Sequence, residues 1–163
     1  PTAIPQKPDV VSSPTAPEQI PDSQPLKSDG EPAQFQLTMP LQGTIVREFG
    51  FSYSPTFADY RFHDGIDIQG PQGAPVVAAE NGKVVEVDFN EMERNIIVIE
   101  HAKGWRTHYK QLGKVEVKKG ETLTAGQTIA KITEPGIHDQ EGSPHLHFGL
   151  SQDDKFVDPK EYL

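Results

Sequence analysis

From Met39 to Leu163 the apolar residues come in short runs that alternate with polar ones and stop at glycine, the period of a strand with one buried face. Seven runs suit strands: Gly43 to Phe49, Pro75 to Ala79, Lys83 to Asp88, Asn95 to Glu100, Trp105 to Tyr109, Thr128 to Ile132 and Leu146 to Leu150. Between the second and third lies Asn81-Gly82, which predicts a hairpin, because a type I′ turn needs φ > 0 at both central residues. A second hairpin is expected at Lys103-Gly104, and Gly113 to Ile132 places two short strands around Lys119-Gly120 and Ala125-Gly126. No window of about eleven residues carries an apolar period near 3.6, so long helices are not expected. The pattern predicts an all-β fold, mainly antiparallel, with short connecting loops.

Residues 1–36 break the pattern. Eight of the chain's 15 prolines fall before position 40, among serine, glutamine and acidic residues, with Phe35 the sole aromatic. Such a stretch buries too little apolar surface to offset its ordering entropy, so it is expected to be a disordered, polyproline-like spacer. Residues 37–163 are then one folded domain. With 15 basic against 24 acidic residues the formal charge is -9, which argues against binding nucleic acid or anionic lipid by counterion release. No cysteine is present, so thiolate metal sites and cysteine nucleophiles are excluded, and any metal must rest on His and carboxylate. No run approaches the roughly 18 to 20 apolar residues of a membrane span. The abrupt start at Pro1 leans towards export, which gives an extracellular or cell-envelope domain tethered by a segment before Pro1.

Six histidines carry the candidate chemistry. In His63-Asp64-Gly65-Ile66-Asp67 an imidazole and a carboxylate stand four apart across a glycine, where a bend can aim both at one point. In His145-Leu146-His147 the period of two puts both imidazoles on one face of a strand and turns Leu146 to the core. Catalytic zinc takes three nitrogen or oxygen ligands plus water, and a His, Asp, His set meets that need. One carboxylate with two neutral imidazoles leaves such a centre at a charge of about +1, a good Lewis acid.

His63-x-x-x-Asp67, Gly65-Ile66-Asp67-Ile68, Gly73-Ala74-Pro75-Val76-Val77-Ala78-Ala79, Asn81-Gly82-Lys83-Val84, Gly142-Ser143-Pro144-His145-Leu146-His147-Phe148 and the closing Asp158-Pro159-x-x-Tyr162-Leu163 resemble the lysostaphin or LytM type zinc endopeptidases. The resemblance covers about Pro40 to Leu163. It implies that His63, Asp67 and His147 hold zinc, that His145 is the acid/base or transition-state donor, and that peptides of bacterial cell walls are the substrates. One position departs: where the family has a second catalytic His in Tyr-x-His-Leu, this chain reads Tyr109-Lys110-Gln111-Leu112. Glutamine donates a hydrogen bond but cannot accept and return a proton near neutral pH. His108 is a poor substitute, because an odd offset along a regular strand turns it to the opposite face. The Pro-rich tether, Phe49-Gly50-Phe51-Ser52-Tyr53-Ser54 and Tyr60-Arg61-Phe62-His63 are similar to the sporulation branch of the family, relatives of stage II sporulation protein Q, some of which bind envelope partners instead of hydrolysing.

The resemblance therefore implies a zinc-dependent cell-wall endopeptidase of weak activity, with a disarmed binding or scaffold module for an envelope protein as the rival. A distant third reading takes Val117 to Ile132 for a biotinyl or lipoyl carrier hairpin with Lys83 as its modified lysine. His101, beside the Lys103-Gly104 turn, reads as an ordinary exposed histidine, and His138 and Asp139 read as exposed loop or as one wall of a groove. Arg61, Phe62, Tyr53 and Phe57 are candidates for the groove or for the core.

Overall fold

Twelve short strands form among the described residues, which in this computed structural model are 34–54, 57–135 and 142–163. They are β1 (Thr44–Arg47), β2 (Gly50–Ser54), β3 (Asp59–His63), β4 (Ile66–Gln69), β5 (Pro75–Val77), β6 (Gly82–Asn90), β7 (Arg94–Glu100), β8 (Trp105–Val115), β9 (Thr122–Leu123), β10 (Thr128–Ile132), β11 (His145–Gln152) and β12 (Lys155–Val157). Ten of them join one sheet whose spine runs β1-β4-β11-β8-β7-β6-β9, with β10 joining β8 to β5 and β12 flanking β11; β2 and β3 form a hairpin of their own. Every ladder between them is antiparallel, as the alternating pattern predicts. Most of the spacer expected over 1–36 lies outside the described residues, as do His138 and Asp139.

One face of the sheet builds the core. Ile66, Ile68, Ile97, Ile99, Tyr109 and Phe148 are all fully buried, each alternating with a residue on the outer face. Phe35, the aromatic that composition leaves in the spacer, stacks on Trp105 with ring centroids 4.4 Å apart, and Tyr162 packs on Trp105 from the other end of the chain. Tyr109, in the stretch that reads Tyr-Lys-Gln-Leu, is wholly buried and its hydroxyl accepts the Ala79 N–H at 2.9 Å. Burial pushes that phenol up to about 12, so it stays neutral.

Two readings fail on tertiary grounds. Asn81-Gly82 joins no hairpin: β5 pairs with β10, whereas β6 pairs with β7 and β9, and neither residue has a positive φ. Gly82 serves close approach, since a Cβ there would stand 2.5 Å from the Glu100 carbonyl oxygen, and Asn81 Oδ1 accepts the Ala125 N–H. The carrier reading falls with it, because Lys83 sits mid-ladder opposite Glu100 and Thr122 and not at a hairpin tip. The strands β2, β3, β4 and β12 were not legible as runs. The Lys103-Gly104 turn does link β7 to β8, with positive φ at both residues.

Tyr109→Phe should lower stability by about 1–3 kcal/mol, because it strands a buried N–H. Urea unfolding of the two proteins measures this, and a loss below about 0.5 kcal/mol would mean that another group satisfies Ala79.

Candidate metal centre

Strand register builds the site. In the β4–β11 ladder His147 lies directly opposite Asp67, and the core residues Leu146 and Phe148 lie opposite Ile68 and Ile66. Residues directly opposed in antiparallel strands carry their Cβ atoms about 4.5–5.5 Å apart on one face, so the imidazole and the carboxylate meet without any loop to position them. His63 closes β3, and the Asp64-Gly65 turn brings it back over Asp67. Gly65 makes the turn fit: a Cβ there would come within 2.4 Å of the Phe148 carbonyl oxygen on β11.

Hydrogen bonds behind the two rings set which nitrogens are bare. His63 Nδ1–H donates to the Glu48 carbonyl oxygen at 2.9 Å, which leaves the lone pair on Nε2 of the neutral ring. His147 Nε2–H donates to Asp64 Oδ1 at 2.9 Å, which leaves the lone pair on Nδ1. His63 Nε2 then stands 3.1 Å and His147 Nδ1 2.9 Å from the same oxygen, Asp67 Oδ1, with the two nitrogens 3.0 Å apart. Three lone-pair atoms in so small a triangle repel one another unless a proton or a cation sits among them. Tetrahedral zinc with bonds of about 2.0–2.1 Å spaces its ligand atoms by about 3.4 Å, so the triangle needs to open by only tenths of an ångström. The donor set fits zinc, and it is the group of His and carboxylate atoms among the described residues that lies within 4.8 Å and so could hold a metal.

Without a metal, the charges place a proton among these atoms. Burial works to raise the Asp67 carboxyl, but hydrogen bonds from His147 and His63 outweigh it and hold the group well below the usual carboxylate range. The His147 bond holds Asp64 low in the same way. Burial works to lower His147, yet Asp64 and Asp67 overcome it and push the ring up to about 9.

His63, Asp67 and His147 open onto a cleft of about 440 Å³, and His145 and Gln111 line the same cleft. All five residues singled out by the sequence are thus brought together. His145 Nδ1–H donates to the Ser143 carbonyl oxygen at 2.9 Å, which makes Nε2 the ring atom that carries the lone pair when neutral. Gln111 adopts φ 62°, its N–H donates to the Glu93 carbonyl oxygen at 2.7 Å and its Nε2 donates to the Met92 carbonyl oxygen at 3.3 Å. One wall of the cleft is the β2–β3 hairpin, where the Arg61 guanidinium lies 3.7 Å over the Phe57 ring. The Met92-Glu93 turn lines the cleft as well.

The family model for Peptidase family M23 matches residues 61–159 of the 163. The chain belongs to peptidase family M23. Peptidoglycan DD-endopeptidase ShyB of Vibrio cholerae serotype O1 is 38% identical to it over 96 residues, which cover 59% of this chain and 22% of ShyB. A zinc containing peptidase from Vibrio cholerae is 34% identical in its crystal structure, with a TM-score of 0.63 over 72% of this chain and 36% of that one. A chain of the SpoIIQ-SpoIIIAH pore forming complex shares the fold at 22% identity, with a TM-score of 0.70 over 78% of this chain and 90% of that one. The matched stretch spans about a fifth of the length of ShyB and of two further curated relatives.

Other candidates sort differently in this M23 domain. Arg61 and Phe57 line the cleft, whereas Phe62 and Tyr53 pair with Phe51 and Tyr60 on the hairpin's other face and are about half exposed, in neither cleft nor core. His101 is buried, not exposed: its Nδ1–H donates to the Asn81 carbonyl oxygen and its Nε2 accepts from the Thr107 hydroxyl. His108 lies in a neighbouring groove beside Ser151, 2.9 Å from the hydroxyl oxygen. The alternation argument against it holds only in part, because the positive φ at Gln111 breaks the period and lets Lys110 and Gln111 both reach the cleft. Asp64, Lys110 and Glu93 went unnoticed in the sequence. Asp64 adjoins His63, but its partners come from strands far along the chain.

Burial, with the nearby Lys110 cation, pushes His108 down to about 4 from 6.5. Between those values the unfolded chain binds a proton that the folded chain does not, so stability falls as pH drops from 6.5 towards 4. Urea midpoints across that range should show a flatter dependence in His108→Gln than in wild type; equal slopes would refute the assignment.

Proposed function

We propose that residues 37–163 are a zinc-dependent peptidase domain of the cell envelope that acts on the peptides of bacterial cell walls, with activity reduced by Gln111. The observation that carries this reading is the convergence of three potential ligand atoms, from His63, Asp67 and His147, on one point inside a cleft that also holds His145. Zinc, when bound there, supplies Lewis-acid polarisation of the scissile carbonyl and a water of lowered pKa. His145, fixed through Nδ1 by the Ser143 carbonyl, holds or gives a proton at Nε2, and so stabilises charge on the tetrahedral species or passes a proton to the leaving amine. Gln111 donates a hydrogen bond through Nε2 and moves no proton. The name of ShyB supports peptidoglycan as the substrate class, and a wall substrate calls for an extracellular or envelope-exposed setting, with the residues before Phe35 as a spacer.

Gln111 also favours a second reading, in which the cleft keeps its zinc but binds wall peptide or an envelope protein without cleaving it. General acid/base catalysis contributes roughly 10²- to 10⁴-fold, so the missing histidine separates a slow enzyme from a disarmed one. Zinc content should be measured beside hydrolysis of purified peptidoglycan for wild type, Gln111→His and His145→Ala. Our reading expects one zinc per chain, slow cleavage by wild type, a rise of about 10²-fold or more in Gln111→His and loss in His145→Ala. Zinc without wild-type cleavage, with activity appearing in Gln111→His, establishes the binding module instead. Absence of zinc overturns both.

A further inference from the structure

Asp64 has no place in the chemistry above, yet it touches the ring that matters most. We propose that Asp64, braced by Lys110, is a positioning residue for His147: it takes the Nε2 hydrogen, fixes the ring, and so presents the Nδ1 lone pair to the metal. The inference rests on the zinc reading of the cleft.

Four observations carry it. Asp64 Oδ1 is 2.9 Å from His147 Nε2, on the edge of the imidazole opposite the Nδ1 that meets Asp67, so Asp64 lies behind the ligand and outside the triangle of ligand atoms. Its other oxygen, Oδ2, is 3.7 Å from Lys110 Nζ, and that ammonium is 2.7 Å from Glu93 Oε1. Lys110 is in turn the direct neighbour of His147 in the β8–β11 ladder, so His147 stands between Asp67 on one side and Lys110 on the other. Gly65 allows the turn that carries Asp64 to press onto β11, as its missing side chain would meet the Phe148 carbonyl and His147 Nε2.

The physical consequence follows from charge and from the tautomer. A lysine beside a cation site repels the cation, and flanking it with Asp64 and Glu93 removes that repulsion while tying the Met92-Glu93 wall to the centre. A carboxylate that accepts the distal N–H of a ligating histidine makes the ring a stronger donor and blocks the wrong tautomer. An ordinary surface ion pair would do neither. The His147 side chain is only 12% exposed and that of Asp64 35%, which leaves the bond between them largely shielded from water.

The test is zinc affinity of the whole chain by competition with a chromophoric chelator, for wild type, Asp64→Asn, Asp64→Ala and Asp64→Glu, with circular dichroism to confirm folding. Asp64→Asn and Asp64→Ala should bind zinc about 10- to 100-fold more weakly, with part of the loss recovered in Asp64→Glu. Imidazole ¹⁵N shifts of the zinc-loaded wild type give a second readout that needs no variant: His147 should carry its hydrogen on Nε2. Wild-type zinc binding with variants within about twofold of it, or a His147 hydrogen on Nδ1, overturns the role of Asp64 and leaves the zinc reading standing. A wild type that binds no zinc overturns the reading of the cleft and this inference with it.

Discussion

Asp67 and His147 oppose each other in one antiparallel ladder, and the position of that pair depends on the register of β4 against β11. A slip of one residue would carry one of them to the other face of the sheet and the metal set would cease to exist. What forbids the slip is on the reverse side: Ile66, Ile68, Leu146 and Phe148 are fully buried, and the same slip would expose them. Burying a side chain of that kind is worth about 1.5–3 kcal/mol, so four of them hold the register against any gain the polar face offers by itself. The core thus sets the geometry of the site.

On the proposed reading the cleft separates holding from reacting. His63 and His147 are each pinned through one ring nitrogen, by the Glu48 carbonyl and by Asp64, and both turn the other nitrogen to Asp67. His145 is pinned in the same fashion by the Ser143 carbonyl but stands outside the triangle, where the proposed reading gives it a proton to handle. Gln111 occupies the complementary wall with a side chain that can only donate or accept without exchanging charge. On the proposed reading, an M23 domain so built binds a metal and a peptide and lacks one of the two groups that move protons.

Legibility in the sequence followed the range of the interactions. The two histidines of His145-Leu146-His147 share a face because a period of two is local, and the all-β pattern was readable for the same reason. Asn81-Gly82 misled because its turn preference is local whereas Gly82 answers to the Glu100 carbonyl on a neighbouring strand. The β2–β3 hairpin escaped notice because Phe51 and Tyr60, 78% and 71% exposed, follow no core-facing pattern. His101 looked exposed from its turn, yet Asn81 and Thr107 enclose it. Asp64 and Lys110 join across strands, and no spacing along the chain announces such a contact.

The central claim is that His63 Nε2, Asp67 Oδ1 and His147 Nδ1 form one zinc site. Crystals of the zinc-loaded chain measured on both sides of the zinc absorption edge test it most directly. The account predicts a single anomalous peak at bonding distance, about 2.0–2.2 Å, from those three atoms. A peak on other ligands, or no peak in protein saturated with zinc, would contradict it.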